Sequence, residues 1–182
     1  MYGFLLINKP TGITSHDVVD RLRRVTGEKR IGHSGTLDPF ATGLLIVGVG
    51  RDATKRLGEL QKLPKTYRAT LMLGSTSTTG DRTGIITRYV IASRSEAIHD
   101  RGEIATVAMG SLAMTTVTDV LKKFTGELQQ IPPMYSAKKI GGKKLYELAR
   151  EGKTVERKPI SISISNLSLV RYESPLLEIE VD

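Results

Sequence analysis

Two stretches near the end of the chain alternate apolar and polar residues with a period of two. Residues 160–164 read Ile-Ser-Ile-Ser-Ile, and residues 177–181 read Leu-Glu-Ile-Glu-Val. Because successive side chains of a strand point to opposite faces, each stretch predicts a strand with one buried face. Strands of this kind are typical of antiparallel sheets. We therefore expect an α/β protein of the α+β type, with a mixed, largely antiparallel sheet flanked by helices.

The rest of the chain divides into helical and extended patterns. Apolar residues recur at helical spacing in residues 15–26, 52–60, 117–124 and 145–149, and each range predicts a helix. Ser15 is expected to cap the first of these helices. Further strands are expected at the start of the chain and at residues 44–49, 65–73 and 85–91, with a polar loop at 75–84 and a bulge or break near Asn166.

The domain organisation follows from length and from the lack of internal boundaries. At 182 residues the chain is long enough to bury a sizeable core. It shows no internal repeat, low-complexity tract or interdomain linker, so we expect residues 1–182 to form one domain. Residues 92–115 have no firm period, and they predict an irregular insertion within that domain.

The segment Gly32–Gly43 presents one carboxylate on a loop rich in glycine. Pro39 pushes Asp38 toward an extended backbone, His33 stands at the start of the same segment, and the apolar run 44–49 follows it. An isolated Asp-Pro pair is more typical of a simple turn. A reactive side chain on a rigid loop beside a core strand is a common form of active site, and the length of this segment favours that interpretation.

Composition excludes several classes of site. Cysteine is absent, which excludes disulfides, thiolate catalysis and zinc sites with cysteine ligands. The three histidines, His16, His33 and His99, are scattered, so no metal site is expected. No run approaches the ~20 apolar residues of a transmembrane helix, and the start lacks the basic region of a secretory signal. We expect a protein of the reducing cytoplasm that does not associate with membranes.

The charge balance points to a polyanionic partner. The net charge is +8, and two segments concentrate the surplus. Residues 21–30 carry five cations against one acid, and residues 138–158 carry eight against three. Either segment alone is equally well explained as a solvated basic face. Two such clusters in one small domain favour nucleic acid.

Five segments in order resemble a known family. They are residues 5–15, the 32–43 loop, 65–69, 131–139 and 142–147. In this order they are similar to the bacterial tRNA pseudouridine-55 synthases, the TruB family. The resemblance implies the pseudouridine-synthase fold and an enzyme that isomerises a T-loop uridine of tRNA without cofactor or metal. It names tRNA as the partner, and no obligate protein partner is evident.

The resemblance also assigns roles to single residues. It implies that Asp38 is the catalytic aspartate and that Tyr67 stacks on the target uracil and assists loss of the C5 proton. It implies that His33 enters the T loop as the uridine flips out. Lys9 belongs to the first family motif, which supports the active site. The residues expected to contact RNA are His33, Lys9, Gly35, Thr36, Lys138, Lys139, Lys143, Lys144 and Tyr146, with 131–158 as a basic RNA-gripping segment.

Two of these residues also have purely structural explanations. Without the resemblance, Tyr67 would be interpreted as a packed strand aromatic, and His33 as a turn histidine.

The chain departs from the family in two places. The stretch 92–115 is longer than the segment that the family usually has there. A Gly-Thr-Tyr-Ile-Arg-like motif, whose arginine pairs with the catalytic aspartate in the family, is absent, which predicts a fragment. A tRNA-binding module without catalysis, or a basic RNA-associated structural protein, is therefore the alternative function.

Overall fold

The computed structural model describes residues 2–89, 114–136 and 138–182. Within the stretch expected to form one domain, the contacts group into two compact units, residues 1–64 and 65–182. All strand pairings among the described residues are antiparallel, and helices accompany the sheets. The expected α/β class with largely antiparallel pairing is therefore confirmed.

The first unit is a three-stranded sheet with two helices. Its elements are β1 (Gly3–Lys9), α1 (Ser15–Thr26), β2 (Ile31–His33), β3 (Gly43–Val49) and α2 (Arg51–Leu60). The strand order is β1-β3-β2, so β3 occupies the centre. Leu45, Val47 and Val49 of β3 pack with Val18 and Val19 of α1 in the core, and Gly48 lies against α2. These contacts explain why the run 43–49 is apolar almost throughout.

The residue that caps the start of α1 lies one position earlier than the sequence predicted. The N-cap is Thr14, not Ser15: the Thr14 hydroxyl accepts the Asp17 N–H at 3.0 Å, and the Asp17 carboxylate accepts the Thr14 N–H at 2.7 Å. The Thr14 hydroxyl also donates to the Asp17 carboxylate at 2.7 Å, and this bond together with the one from the Thr14 N–H holds the pKa of Asp17 below its usual value. The helix ends at Gly27, whose φ of 72° is left-handed, as the stop signal predicted. The helix buries Val18 and Val19 against the sheet.

Helix α2 lies close to the sheet because two glycines face it. Gly32 and Gly48 are register partners on β2 and β3. A Cβ on Gly48 would lie 3.1 Å from the backbone carbon of Ala53, and one on Gly32 would lie 3.1 Å from Leu57 Cδ1. A side chain at position 48 would push the helix outward, because it meets backbone atoms, whereas one at position 32 would require the Leu57 side chain to move. The glycines therefore set the distance at which Leu57 buries itself on the strands.

The second unit contains nine strands and two helices among its described residues. They are β4 (Tyr67–Met72), β5 (Ser75–Ser77), β6 (Ile86–Arg88), α3 (Met114–Lys122), β7 (Gly126–Gln130), β8 (Lys139–Ile140), β9 (Lys143–Lys144), α4 (Leu145–Arg150), β10 (Ile160–Ile164), β11 (Leu167–Glu173) and β12 (Leu176–Val181). The main sheet has the order β11-β12-β4. Helix α3 packs on it through Val117 and Leu121, which meet Leu177 in a buried cluster.

Three sequence expectations for this unit need correction, and a fourth is confirmed. Residues 75–84 are not all loop, because 75–77 form β5 and pair with β6. The helix expected at 117–124 spans Met114–Lys122, and Gly126 begins β7. Residues 114 and 115 of the expected insertion belong to α3, whereas 92–113 lie outside the described residues. The break expected near Asn166 is confirmed, since β10 ends at Ile164 and β11 begins at Leu167, and β11 has a further register shift between Leu169 and Arg171.

None of the helices in the described ranges is both long enough and apolar enough to cross a bilayer.

Candidate active site

The loop between β2 and β3 carries Asp38 in the first unit. It leaves the sheet through Ser34, whose N–H donates to the Ile46 carbonyl at 2.9 Å. At Asp38 it forms a turn in which the Ala41 N–H donates to the Asp38 carbonyl at 3.0 Å. The Asp38 side chain is exposed. The local structure therefore combines the turn expected of an Asp-Pro pair with a carboxylate that faces solvent.

Lys9 lies beneath this loop and is fully buried. Its ammonium donates to the carbonyls of Pro10 at 3.0 Å, Ile13 at 2.8 Å and Pro39 at 3.4 Å. The Gly12 N–H donates to the same Pro39 carbonyl at 2.7 Å. An ammonium has three donors, and here backbone carbonyls take all three. Burial removes Lys9 from the set of RNA contacts proposed from the sequence, and the geometry favours its other expected role, support of the site.

Ser15 holds the loop on the other side of Asp38. Its buried hydroxyl accepts the Leu37 N–H at 2.9 Å and donates to the Leu37 carbonyl at 3.2 Å. Sequence reasoning gave Ser15 the N-cap, and it missed this role because Leu37 is 22 residues away. The sequence did contain one indication of this role. A helix needs only one hydroxyl as its cap, so one of the two neighbours Thr14 and Ser15 was free for another contact.

Together these bonds fix the backbone on both sides of Asp38. Leu37 is held by Ser15, Pro39 by Lys9 and Gly12, and the Phe40 carbonyl accepts the Thr11 hydroxyl at 3.2 Å. Within the described residues, no hydrogen bond or ion pair engages the Asp38 carboxylate. A fixed, exposed carboxylate without a protein partner can act on a substrate atom brought to it, as nucleophile or as base.

Three other expected RNA-contacting residues lie on or next to the same loop. His33 is the last residue of β2, opposite Val47, and its Nδ1 is buried without a hydrogen-bond partner. Gly35 is half-buried, and a Cβ there would meet nothing within 4 Å. Thr36 is exposed. His33, Thr36 and Asp38 thus lie within six residues of one another, at the end of β2 and on the loop that Ser15 and Lys9 hold.

Tyr67 belongs to the second unit, where it is the first residue of β4 and pairs with Val181. Its side chain is 49% exposed, so it is not the packed strand aromatic of the bland interpretation. The next residue, Arg68, forms ion pairs with Glu178 at 3.8 Å and Glu180 at 3.3 Å on β12. Cross-strand pairs of this kind fix the register that presents Tyr67 at the end of the strand.

The basic segment of the second unit is a short hairpin followed by a helix. Strands β8 and β9 pair Lys139 with Lys144, and the Leu145 N–H donates to the Lys138 carbonyl at 2.8 Å. Leu145 is fully buried and anchors the start of α4. Lys138 and Lys139 remain exposed. The side chains of Lys138 and Lys139 are therefore exposed on a hairpin that is held in place by buried Leu145.

Tyr146 stands between two of the cations of this segment. The Lys144 ammonium donates to its hydroxyl at 3.2 Å and lies 5.3 Å from the ring centroid. The Arg150 guanidinium lies 5.4 Å from the same centroid. The hydrogen bond to Tyr146 raises the pKa of Lys144. The arrangement holds an aromatic ring and two positive charges at one place, which suits a phosphate or a nucleotide.

Lys143 is not a free cation in this segment. It pairs with Glu151 at 3.6 Å, and Lys153 pairs with the same carboxylate at 2.7 Å. The bond from Lys153, with Lys143 alongside, lowers the pKa of Glu151. Of the four lysines proposed from the sequence, Lys138 and Lys139 are thus the most available to a phosphate.

Comparison with known proteins gives a consistent result. A family model for TruB family pseudouridylate synthase (N terminal domain) matches residues 23–182. The tRNA pseudouridine synthase B of Caldanaerobacter subterraneus subsp. tengcongensis is 43% identical over 173 residues, which are 95% of this chain and 54% of that protein. The protein of the same name from Geobacter sulfurreducens is 44% identical over 177 residues, which are 97% of this chain and 52% of that protein. The chain spans about half the length of the curated relatives it matches.

Solved structures agree at the level of the fold. A chain of a Cbf5-Nop10-Gar1 complex matches 99% of this chain with a TM-score of 0.60 and 20% identity, and 39% of that chain is covered. A chain of an H/ACA RNP bound to a substrate RNA gives a TM-score of 0.59 at 19% identity. Identity at this level supports the fold alone, whereas the family model covers most of the sequence and the curated relatives exceed 40% identity. The resemblance seen in the five sequence segments is therefore confirmed, and the chain belongs to the TruB family of pseudouridylate synthases.

Proposed function

We propose that this chain carries the catalytic part of a tRNA pseudouridine synthase that converts a T-loop uridine, position 55, to pseudouridine. One observation carries the proposal: Asp38 is exposed and has no hydrogen-bond or ion-pair partner among the described residues, on a loop whose backbone is fixed by buried Lys9 and Ser15. Membership of the TruB family supports the reaction type, and the names of the curated relatives support tRNA as substrate.

The chemistry explains why a carboxylate is needed. The N1–C1′ glycosidic bond of the uridine breaks, which leaves positive character on the sugar. The Asp38 carboxylate either captures C1′ covalently or removes a neighbouring proton from the sugar. The freed uracil turns, and as C5 bonds to C1′ the ester bond to Asp38 breaks, or the proton that Asp38 removed returns to the sugar. The C5 proton then leaves and N1 regains a proton. Atoms balance without any co-reactant, because the product is an isomer of the substrate.

Two side chains are assigned to the base and to the RNA loop. Tyr67 stacks on the uracil and assists loss of the C5 proton, which its half-exposed position at the start of β4 permits. A neutral phenol is a weak base, so its contribution is mainly positioning. His33 occupies the space left by the flipped uridine and offsets part of the lost stacking.

The hairpin and helix at 138–150 grip the RNA backbone. Exposed Lys138 and Lys139 meet phosphates, and Tyr146 with its two cations contacts a nucleotide. Such contacts position the RNA without reading its sequence. Specificity for a T loop then comes from the shape that presents an unstacked uridine to Asp38.

The substitution Asp38→Asn tests the proposal. It keeps the size of the side chain and removes the carboxylate, so the single-turnover rate of pseudouridine formation on a T-arm hairpin should fall by at least about 100-fold. The dissociation constant for the hairpin should change less than about 2-fold, because phosphate contacts supply the affinity. Asp52→Asn removes an equally exposed carboxylate of the same unit and should leave the rate unchanged.

The outcomes separate the candidate functions. An unchanged rate in Asp38→Asn would rule out the catalytic assignment. Preferential binding of the T-arm hairpin with no turnover by the unaltered chain would favour the tRNA-binding alternative. Equal binding of the hairpin and of unrelated RNA at matched salt would favour a basic structural protein.

A further inference from the structure

Tyr67 lies at an end of its sheet where packing alone does not hold it. It pairs with Val181, and this pair is the last of the ladder between β4 and β12 at this end. Helix α3 covers the same face of the sheet at Leu177, four residues from Val181 along β12, whereas the Tyr67 side chain is 49% exposed. The ends of strands open more easily than their centres. A ring that stacks on a uracil therefore needs a further contact that keeps its backbone on the sheet.

Such a contact lies one residue beyond the ladder, on the opposite face of the sheet. The Thr66 hydroxyl donates to the Asp182 carboxylate at 2.5 Å. Because side chains alternate along a strand, Thr66 points away from the face on which Tyr67 lies. The bond joins the residue that precedes β4 to the residue that follows β12. It therefore closes the end of the strand pair at which Tyr67 stands.

Asp182 is itself held by the turn that precedes β11. Its N–H donates to the Asn166 carbonyl at 2.9 Å, and its own carbonyl accepts the Ser165 N–H at 3.0 Å. The side-chain amide of Asn166 donates to the second carboxylate oxygen of Asp182 at 3.2 Å. One carboxylate thus holds Thr66 on one side and Asn166 on the other. Because an ionised acceptor forms stronger hydrogen bonds than a neutral one, Asp182 is suited to link the ends of three strands.

The other acids on this face of β12 have a different partner. Glu178 and Glu180 pair with Arg68 at 3.8 Å and 3.3 Å, which leaves Asp182 as the acceptor for the Thr66 hydroxyl. Thr66 and Arg68 are the two neighbours of Tyr67 in the sequence. Side-chain contacts across the strands therefore tie the backbone to β12 on both sides of Tyr67.

We propose that Asp182 is a positioning residue for Tyr67. By holding Thr66, its carboxylate keeps the first residue of β4 paired with β12, so that the Tyr67 ring meets the target uracil in one orientation. Asp182 acts through Thr66 and not on the substrate. The inference rests on the proposed function, because the step that it serves is the stacking of Tyr67 on the uracil. Loss of the contact should slow the reaction of bound RNA, since small misplacements of reacting groups are costly in rate. It should leave RNA affinity almost unchanged, because phosphate contacts supply that affinity.

The substitution Thr66→Val tests the proposal, because valine keeps the shape of the side chain and removes the hydroxyl. The single-turnover rate on a T-arm hairpin should fall by about 10-fold, and the dissociation constant should change by less than about 2-fold. Asp182→Ala should cause a similar loss of rate. The double variant should lose no more than about 10-fold, because both changes break the same contact. Thr66→Ser keeps a hydroxyl and should stay within about 2-fold of the rate of the unaltered chain.

Ser161→Ala is the matched control. It removes a cross-strand bond of the same unit, donated by the Gln129 amide at 2.7 Å and equally exposed, so the rate should not change. Hydrogen exchange gives a second measurement that does not depend on turnover. Peptides that contain residues 65–69 should exchange faster in Thr66→Val than in the unaltered chain, and at the unaltered rate in Ser161→Ala.

Other outcomes count against the proposal. If the unaltered chain forms pseudouridine and Thr66→Val does so at the same rate, or with unchanged exchange at 65–69, only this inference fails. Equal losses of rate in Thr66→Val and Thr66→Ser, or losses that multiply in the double variant, would also overturn it. A weaker dissociation constant at an unchanged rate would make Thr66 a contact for RNA instead. If the unaltered chain binds the hairpin and forms no pseudouridine, the proposed function fails and this inference fails with it.

Discussion

At the scale of single residues, the proposed site depends on buried side chains that hold the backbone of the Asp38 loop. Asp38 stood out in the sequence because glycines and a proline surround it. Lys9 and Ser15 did not stand out in the same way, since their role depends on backbone atoms of residues 37 and 39 that only the fold brings close. The neighbouring residues in the sequence were enough to select Asp38 as a candidate. The residues that hold its loop could be identified only from contacts in the folded structure.

Ser15→Ala should impair catalysis more than binding. The change removes both bonds to Leu37 and leaves its buried N–H and carbonyl unpaired, which should lower the free energy of unfolding by about 1–3 kcal/mol. Because Leu37 adjoins Asp38, kcat should fall by at least about 10-fold with KM nearly unchanged. Thr14→Ala is the matched control: it removes the helix cap at a cost of about 0.5–2 kcal/mol but leaves Leu37 bound, so kcat should persist. A similar loss of kcat in both variants would contradict a positioning role.

Lys9→Met should destabilise the protein without weakening the electrostatic part of RNA binding. Three backbone carbonyls lose a charged donor, so the free energy of unfolding should fall by about 2–4 kcal/mol. Below the unfolding transition, the salt slope of RNA binding should stay the same because the ammonium is buried. Lys139→Met, at an exposed cation, should lower the slope by about 0.7–0.9 instead. A reduced slope in Lys9→Met would restore Lys9 to the RNA contacts.

At the scale of elements, helices and strands could be predicted where their own residues carry a periodic pattern, and not where they depend on a distant pairing partner. Helix α1 and strand β10 carry complete periodic patterns with clear stops, and both formed where expected. Strands β7, β8 and β9 are short and polar, so no pattern marks them. They exist because β7 pairs with β10 and β8 with β9. Pairing partners of this kind are decided by tertiary structure.

The packing of α2 against the sheet gives a prediction at this scale. Gly48→Ala places a methyl group 3.1 Å from the Ala53 backbone, so the helix must shift and the free energy of unfolding should fall by about 1–3 kcal/mol. Gly58→Ala, in α2 itself, meets nothing within 4 Å and should raise the free energy of unfolding by about 0.5–1 kcal/mol. Denaturant titration of both variants measures the contrast. Equal effects would show that α2 is not held by close contact with β3.

At the scale of the whole molecule, the net charge of +8 is divided between two kinds of surface. The cations at 138–150 lie on an anchored hairpin and helix in the second unit, and exposed Lys29 and Arg30 lie on the first. The sequence could predict both charged runs and a nucleic-acid partner. It could not separate structural cations such as Arg23 from available ones such as Arg30, because that distinction depends on ion pairs.

The central claim is that Asp38 of this chain isomerises one uridine of tRNA. Pseudouridine mapping across a complete unmodified tRNA, after incubation with excess protein, tests it most directly. The account predicts a single pseudouridine at the T-loop uridine with the unaltered chain, and none with Asp38→Asn under conditions where both proteins bind the tRNA equally. Modification at many positions, no modification by the bound unaltered chain, or the same single pseudouridine with Asp38→Asn would contradict it.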